Sequence, residues 1–336
     1  MHHAAIKSSL KRGALITAAN WEVVVIQFVA EATFKALLMV PVVGAAFLLA
    51  LLVGGGVWDL LDGGIQDALG IAITGLRVHP GALVAYLIGL AIVVIGGSVL
   101  MFRIKGGTVR VLVEAEHGAP AIEDPPLTMA RVRKAAHFSL DRFGEGSDLY
   151  AARFLRLGLL LLCVYALSGA AYLITVMAAY NWMADPTWRL LGSMAAASAS
   201  LLVGAWLTVV NLLYLLLQVL VVANDWPVRT AARALPALLV RQRRLISGIF
   251  LVMLGLVLLA TVASVLATAA LGFIGFVPIV GLAVLPLQLL AWLTRGLLFQ
   301  FLGLAALGAY AGVVREVPGT VENVKKPLSA LSSIPT

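Results

Sequence analysis

Apolar residues run along this chain in long uncharged blocks rather than in short alternations. Six blocks stand out, at about 36–57, 81–102, 157–180, 190–223, 245–271 and 292–314. A helix needs about 20 consecutive apolar residues to cross the hydrocarbon core of a bilayer. Inside lipid the backbone must satisfy its own hydrogen bonds, so each block is expected to be helical. A transmembrane barrel would show shorter segments of alternating polarity. The expected fold class is therefore all-α, a polytopic membrane bundle of six transmembrane helices, with residues 1–336 forming one integral membrane domain.

The last block is longer than one crossing needs. Residues 279–314 hold one charge, Arg295, and Pro286 divides them. About 36 helical residues would reach about 54 Å. A crossing that begins near Trp292 puts Arg295 at an interface and makes 272–290 a re-entrant or interfacial piece. A crossing that begins at Ile279 puts Arg295 deep, and no acid lies inside the expected spans to pair it. An unpaired deep arginine is costly, which favours the interfacial placement. Gln288 shares a face with Arg295, seven residues away, and Asn211 shares one with Gln218. These four are the intramembrane polar candidates, and such amides commonly bond helix to helix.

The polar gaps between blocks are unequal in charge. Every Lys and Arg except Arg77, Arg189 and Arg295 falls in the N-terminal segment, in the loops 103–156 and 224–244, or in the C-terminal tail. Positive charge marks the cytoplasmic side. Both termini are therefore expected inside, which requires an even number of spans. The expected place is a bacterial inner membrane. The polar lead up to Lys35 is longer than the basic start of a cleavable signal, so the first span is expected to be retained.

These basic segments carry their own periodicity. In 224–244, Arg229, Arg233, Arg241, Arg243 and Arg244 fall in one arc at helical steps of 100°, opposite Val228, Ala231, Leu235, Leu238 and Leu239. Asp225 suits a cap and Pro227 a first turn. Pro236 predicts a kink or two short helices. A helix of this kind lies in the interface with its arginines reaching lipid phosphates; positive-inside bias alone also yields basic loops. In 103–156, Pro125-Pro126 breaks the chain, Thr128 suits a cap, and Met129, Val132, Ala136, Leu140 and Phe143 form an apolar stripe ended by Gly144 and Gly146. Ser147 would cap a helix running into the third span. Residues 108–116 read as strand or helix. Trp21 to Phe34 reads as an interfacial helix that Pro41 separates from the first span.

Composition narrows the class. The chain is 62% apolar and 12% charged, against about 45–50% and about 25% in soluble domains. So few charges cannot cover a water-facing surface, and a disordered chain would need the opposite composition. The single cysteine, Cys163, allows no internal disulfide. The net charge of +8 suits anionic head groups. Acidic and basic residues nearly cancel around 108–116, so no nucleic-acid patch is expected.

Catalytic signatures are missing. The sequence has no phosphate-binding Gly-rich loop ending in Lys-Ser/Thr and no Gly-x-Ser-x-Gly nucleophile turn. None of the five histidines falls in a block, so helix-borne haem ligation is not expected, and no cofactor is called for. Asp59, Asp62 and Asp67 form the one acidic cluster outside; it reads first as a solvated loop and second as a divalent-cation turn. Glu114, Glu116 and His117 would be the polar cluster of a membrane-embedded lipid enzyme. Two short self-matches, 40–46 with 277–283 and 19–21 with 224–226, hint at repetition without extending to the halves of the chain.

The stretch Asp225-Trp-Pro-Val-Arg229 through Arg241-Gln-Arg-Arg244 and on to Gly248 resembles a segment of poorly characterised bacterial six-helix membrane proteins. These are related to the membrane domain attached to some glycerophosphodiester phosphodiesterases. The resemblance covers some 25 residues and implies a membrane module. It transfers no catalytic residue, because the phosphodiesterase chemistry of that family resides in a separate soluble barrel. The expected function is a non-enzymatic scaffold or accessory subunit that organises phospholipids or a membrane protein partner through a basic cytoplasmic face. A transporter or channel for a lipid-like or small neutral solute is the alternative.

Overall fold

The computed structural model describes residues 2–53, 80–126, 128–183, 187–275 and 280–315. They form nine helices: α1 (His2–Ala19), α2 (Trp21–Val53), α3 (Pro80–Gly118), α4 (Met129–Lys134), α5 (Leu140–Met183), α6 (Arg189–Ala223), α7 (Val228–Arg241), α8 (Arg243–Gly275) and α9 (Val280–Arg315). Six of them, α2, α3, α5, α6, α8 and α9, are long and apolar enough to cross a membrane. The protein is an all-helical, multi-pass membrane protein.

The helices are longer than a bilayer requires. With 44 residues, α5 reaches about 66 Å at 1.5 Å per residue, twice the roughly 30 Å hydrocarbon core. Burial shows how the excess is used. The buried cluster runs through Ile16 of α1, Val23 of α2, Leu112 of α3, Phe154 of α5, Leu220 of α6, Leu238 of α7, Ile249 of α8 and Tyr310 of α9. All these positions lie toward one end of the bundle, called here the packed end. The other halves turn large apolar side chains outward, among them Ile92, Leu167, Ile174, Leu201, Leu259 and Leu289. An apolar exterior of this extent has no place in water and matches lipid.

Neighbours pair as α3 with α5, α5 with α6, α8 with α9, and α2 with α3, while α1 lies along the packed end of α9. Glycine sets two of these approaches. A Cβ on Gly13 would stand 2.5 Å from the Ala305 carbonyl oxygen and from the Ala309 nitrogen, so α1 rests directly on the α9 backbone. Gly106 and Gly107 likewise face Gly146 and Ser147 across the α3–α5 contact.

Several local expectations are corrected. Gly144 and Gly146 do not end a helix: α5 starts at Leu140 and runs through both, and the break comes at 135–139. These glycines lie inside the helix, and Gly146 admits the α3 backbone. Ser147 is buried within α5 and caps nothing. Residues 108–116 are helical, continuing α3. Trp21 to Phe34 is not a separate piece, because α2 passes through Pro41. Residues 280–290 belong to one helix with Arg295, because α9 passes through Pro286, which rules out a separate re-entrant segment there. Pro236 lies inside a single α7 rather than between two helices. Each proline removes one intrahelical donor, a loss that packing of the rest of the helix outweighs. Asp225 does not cap α7; Pro227 holds that position, and Asp225 sits at φ 51°, closing the end of α6. The acidic cluster Asp59, Asp62 and Asp67, the self-match residues 277–279 and the basic tail after Arg315 lie outside the described residues.

Candidate functional site

The packed end is held by one arginine. Arg12 of α1 is 7% exposed and Glu116 of α3 is 0% exposed. The Arg12 Nε donates to both Glu116 carboxylate oxygens, at 2.7 and 2.9 Å. Its Nη1 donates to Glu123 Oε2 at 2.8 Å and to the Pro120 carbonyl at 2.9 Å. Its Nη2 donates to the Glu116 and Ala119 carbonyls, both at 3.1 Å. The planar guanidinium fork matches a carboxylate and open helix-end carbonyls at once, which the point charge of a lysine cannot do. Burial pulls the Arg12 pKa down, but the Glu123 and Glu116 carboxylates outweigh it, so the guanidinium sits above its ordinary value. Arg315, the last described residue of α9, donates to the Glu116 carbonyl at 3.0 Å and lies 3.5 Å from its carboxylate. Three elements distant in sequence thus meet on one acid.

Asn20, between α1 and α2, is a second lock. Its Nδ2 donates to the Ile16 and Ala135 carbonyls, at 2.9 and 3.0 Å. Its Oδ1 accepts from the His137 and Phe138 nitrogens, at 2.8 and 3.0 Å. The amide therefore substitutes for backbone pairing in the segment 135–139, which has no ladder or helix of its own.

Against this rigid frame, α7 places the predicted arginines. Ala231, Leu235 and Leu238 are buried, while Arg229, Arg233, Arg241, Arg243 and Arg244 are all exposed. None of the five forms an ion pair among the described residues. The last three, with Ala5 of α1, line a cavity of about 350 Å³ at the α7–α8 corner. The structure thus leaves all five exposed, and it brings Arg241, Arg243 and Arg244 together on one cavity. At the foot of α7, Arg153 of α5 binds Asp225 at 2.5 Å and fixes the α6–α7 turn.

The intramembrane polar candidates do not gather. Asn211 accepts from the Tyr165 hydroxyl at 2.6 Å, a bond from α6 to α5. It is one rung of a series that continues with Trp206 to Ser168 at 3.0 Å and Tyr172 with Ser200 at 3.0 Å. Gln218 is buried at the packed end, lower on the same helix. Gln288 is partly exposed on α9. Arg295 stands over the Phe299 ring, 5.8 Å from its centroid. It lines a cavity of about 570 Å³ together with Glu31 and Lys35 of α2, Gln300 of α9, and the rings of Phe28 and Trp292. Lys35 pairs with Glu31 at 2.6 Å, and the Gln300 amide donates to the other Glu31 oxygen.

Sequence reasoning missed Arg12, Asn20, Glu31 and Glu123. The first two sit in an unremarkable polar lead, and nothing local says that they are buried. Glu31 fell outside the expected first span because that span was begun at Ala36, although α2 carries both. The Glu114, Glu116 and His117 group is not an open polar cluster. Glu116 is enclosed by Arg12 and Arg315, Glu114 pairs with Arg110 at 2.7 Å, and His117 Nδ1 is 2.7 Å from the Val113 carbonyl. No known protein family, no curated protein and no solved structure matches the chain.

Proposed function

We propose that this chain is a non-enzymatic scaffold of a bacterial inner membrane, which organises anionic phospholipids and partner proteins through the basic face of its packed end. The observation that carries the reading is the arginine group on α7 and the start of α8: five exposed guanidinium groups without carboxylate partners among the described residues, backed by the buried Ala231, Leu235 and Leu238. A basic residue near an anionic leaflet contributes about 1 kcal/mol of attraction. Five on a rigid surface would hold a local cluster of anionic head groups. In this reading α7 is an amphipathic interfacial helix, the packed end is cytoplasmic, and both termini are inside, since the basic segments converge there.

The test is reconstitution of the full chain in nanodiscs of phosphatidylethanolamine with a minor fraction of fluorescent phosphatidylglycerol. The wild-type chain enriches the anionic lipid around itself, and salt weakens the effect, because exposed charges are screened within about 10 Å at 0.1 M. Replacing the five arginines by glutamine lowers the enrichment and its salt dependence without changing membrane insertion. Equal enrichment in the two proteins would refute the reading. Reporter fusions at the two termini check the orientation. Transport of a lipid-like or small neutral solute is the second reading, favoured by the 570 Å³ cavity lined by α2, α8 and α9; liposome flux assays address it.

A further inference from the structure

The cavity between α2 and α9 is unlike the apolar surface beyond it, because it gathers Glu31, Lys35 and Arg295 in one place. Its height follows from two contacts. Gln27 of α2 meets Thr108 of α3 through side chains at 3.2 Å, and Phe34 of α2 packs on Gly97 of α3. Glu31 lies between them on α2. The matching part of α3 is where its uncharged run, Pro80 to Phe102, gives way to Arg103 and Lys105. On α2 the uncharged run begins immediately after Lys35, and on α9 the residues from Val280 to Thr294 are uncharged up to Arg295. Charge therefore appears at one level on three helices, on α9 as the single Arg295 between two uncharged stretches, and a lipid head group fits that level.

The charges in the cavity do not balance. Lys35 and Arg295 line the cavity with a single carboxylate, Glu31, which also interacts with Lys105 of α3 and whose two oxygens are already engaged by Lys35 and Gln300. Arg295 stands over the Phe299 ring and has no ion pair among the described residues. The lining is left with net positive charge. A singly charged phosphodiester would offset it, taking the forked donors of Arg295, and Lys35 would complete the contact. A head group that adds its own ammonium would leave the excess in place. The volume, about 570 Å³, falls in the range of small-ligand sites. Phe28 and Trp292, their ring centroids 6.0 Å apart, offer aromatic faces to the glycerol and upper chain carbons.

From this we infer that the cavity of Glu31, Lys35, Arg295 and Gln300 is a discrete site for one anionic phospholipid with a single phosphodiester and an uncharged head, its acyl chains lying along the uncharged halves of α2 and α9. The site is separate from the arginine face of α7 and shares no residue with it.

The experiment is native mass spectrometry of the full chain ejected from nanodiscs of phosphatidylethanolamine and phosphatidylglycerol. Wild type retains one phosphatidylglycerol per chain at collision energies that strip all other lipid. Arg295→Gln and Lys35→Gln lower that occupancy about tenfold or more, the expected effect of deleting one charge-assisted contact. Arg295→Lys retains the lipid, and the variant lacking the five arginines of α7 and α8 retains it as well. Delipidated wild type regains phosphatidylglycerol but is not saturated by inorganic phosphate or by glycerophosphoglycerol, which carry the anion without chains. Failure of wild type to retain one lipid overturns the inference whether or not the variants fold. Retention in Arg295→Gln overturns it too, as does equal affinity for inorganic phosphate. Loss of retention only in the five-arginine variant would overturn this site and leave the scaffold reading standing.

Discussion

Replacing Arg12 by alanine removes both hydrogen bonds that the Glu116 carboxylate accepts. The carboxylate is fully buried and would keep only Arg315, at 3.5 Å. The Ala119 and Pro120 carbonyls would lose their Arg12 bonds. Breaking a buried ion pair from one side costs about 3–5 kcal/mol, because the remaining charge is stranded in a poorly solvating site. The expected loss for Arg12→Ala is in that range. Arg12→Lys keeps the charge but not the fork, and is expected to lose about half as much. Glu116→Gln, which leaves no stranded anion, costs less than Arg12→Ala. The assay is equilibrium unfolding in mixed micelles followed by tryptophan fluorescence, with a double-mutant cycle over Arg12→Ala and Glu116→Gln. A coupling energy of about 2 kcal/mol or more is expected for two groups in direct contact. Hydrogen exchange should report the loss as faster exchange in α1 and in residues 116–123. An Arg12→Ala protein within about 0.5 kcal/mol of wild type, or an additive cycle, would refute the claim that this pair holds α1 to α3 and α9.

Three further outcomes follow from the same geometry. Asn20→Ala should cost about 1–3 kcal/mol, the penalty for buried backbone groups left unpaired, with hydrogen exchange accelerated at His137 and Phe138. Gly13→Leu should cost about 1–3 kcal/mol or more through overpacking, seen as a lower unfolding midpoint, since even a Cβ there would meet the α9 backbone at 2.5 Å. Tyr165→Phe, which removes the rung to Asn211, should cost only about 0.6 kcal/mol, the average for hydrogen bonds between membrane helices; a loss above 2 kcal/mol by the same unfolding assay would contradict that account.

The uncharged blocks by themselves determined that the chain is a six-crossing helical membrane protein, because lipid leaves an apolar segment of that length no other way to satisfy its backbone. They also separated the arginines at 229–244 from the apolar residues behind them, since a helical period of 3.6 residues sorts faces without knowledge of any partner. Helix ends were less legible. Pro41, Pro236 and Pro286 read as breaks, and Gly144 and Gly146 as stops, because local propensity is weak beside the packing of a long apolar helix. Gly13, Gly106, Gly107 and Gly146 serve a contact with another helix, which no local pattern encodes. Only the tertiary structure decided that Arg12 and Arg315 converge on Glu116, that Asn20 closes the turn at 135–139, and that Glu31 and Lys35 share a cavity with Arg295. Each of these joins residues more than 100 positions apart, and the energy of a buried charge depends on what surrounds it in space, not on its neighbours along the chain.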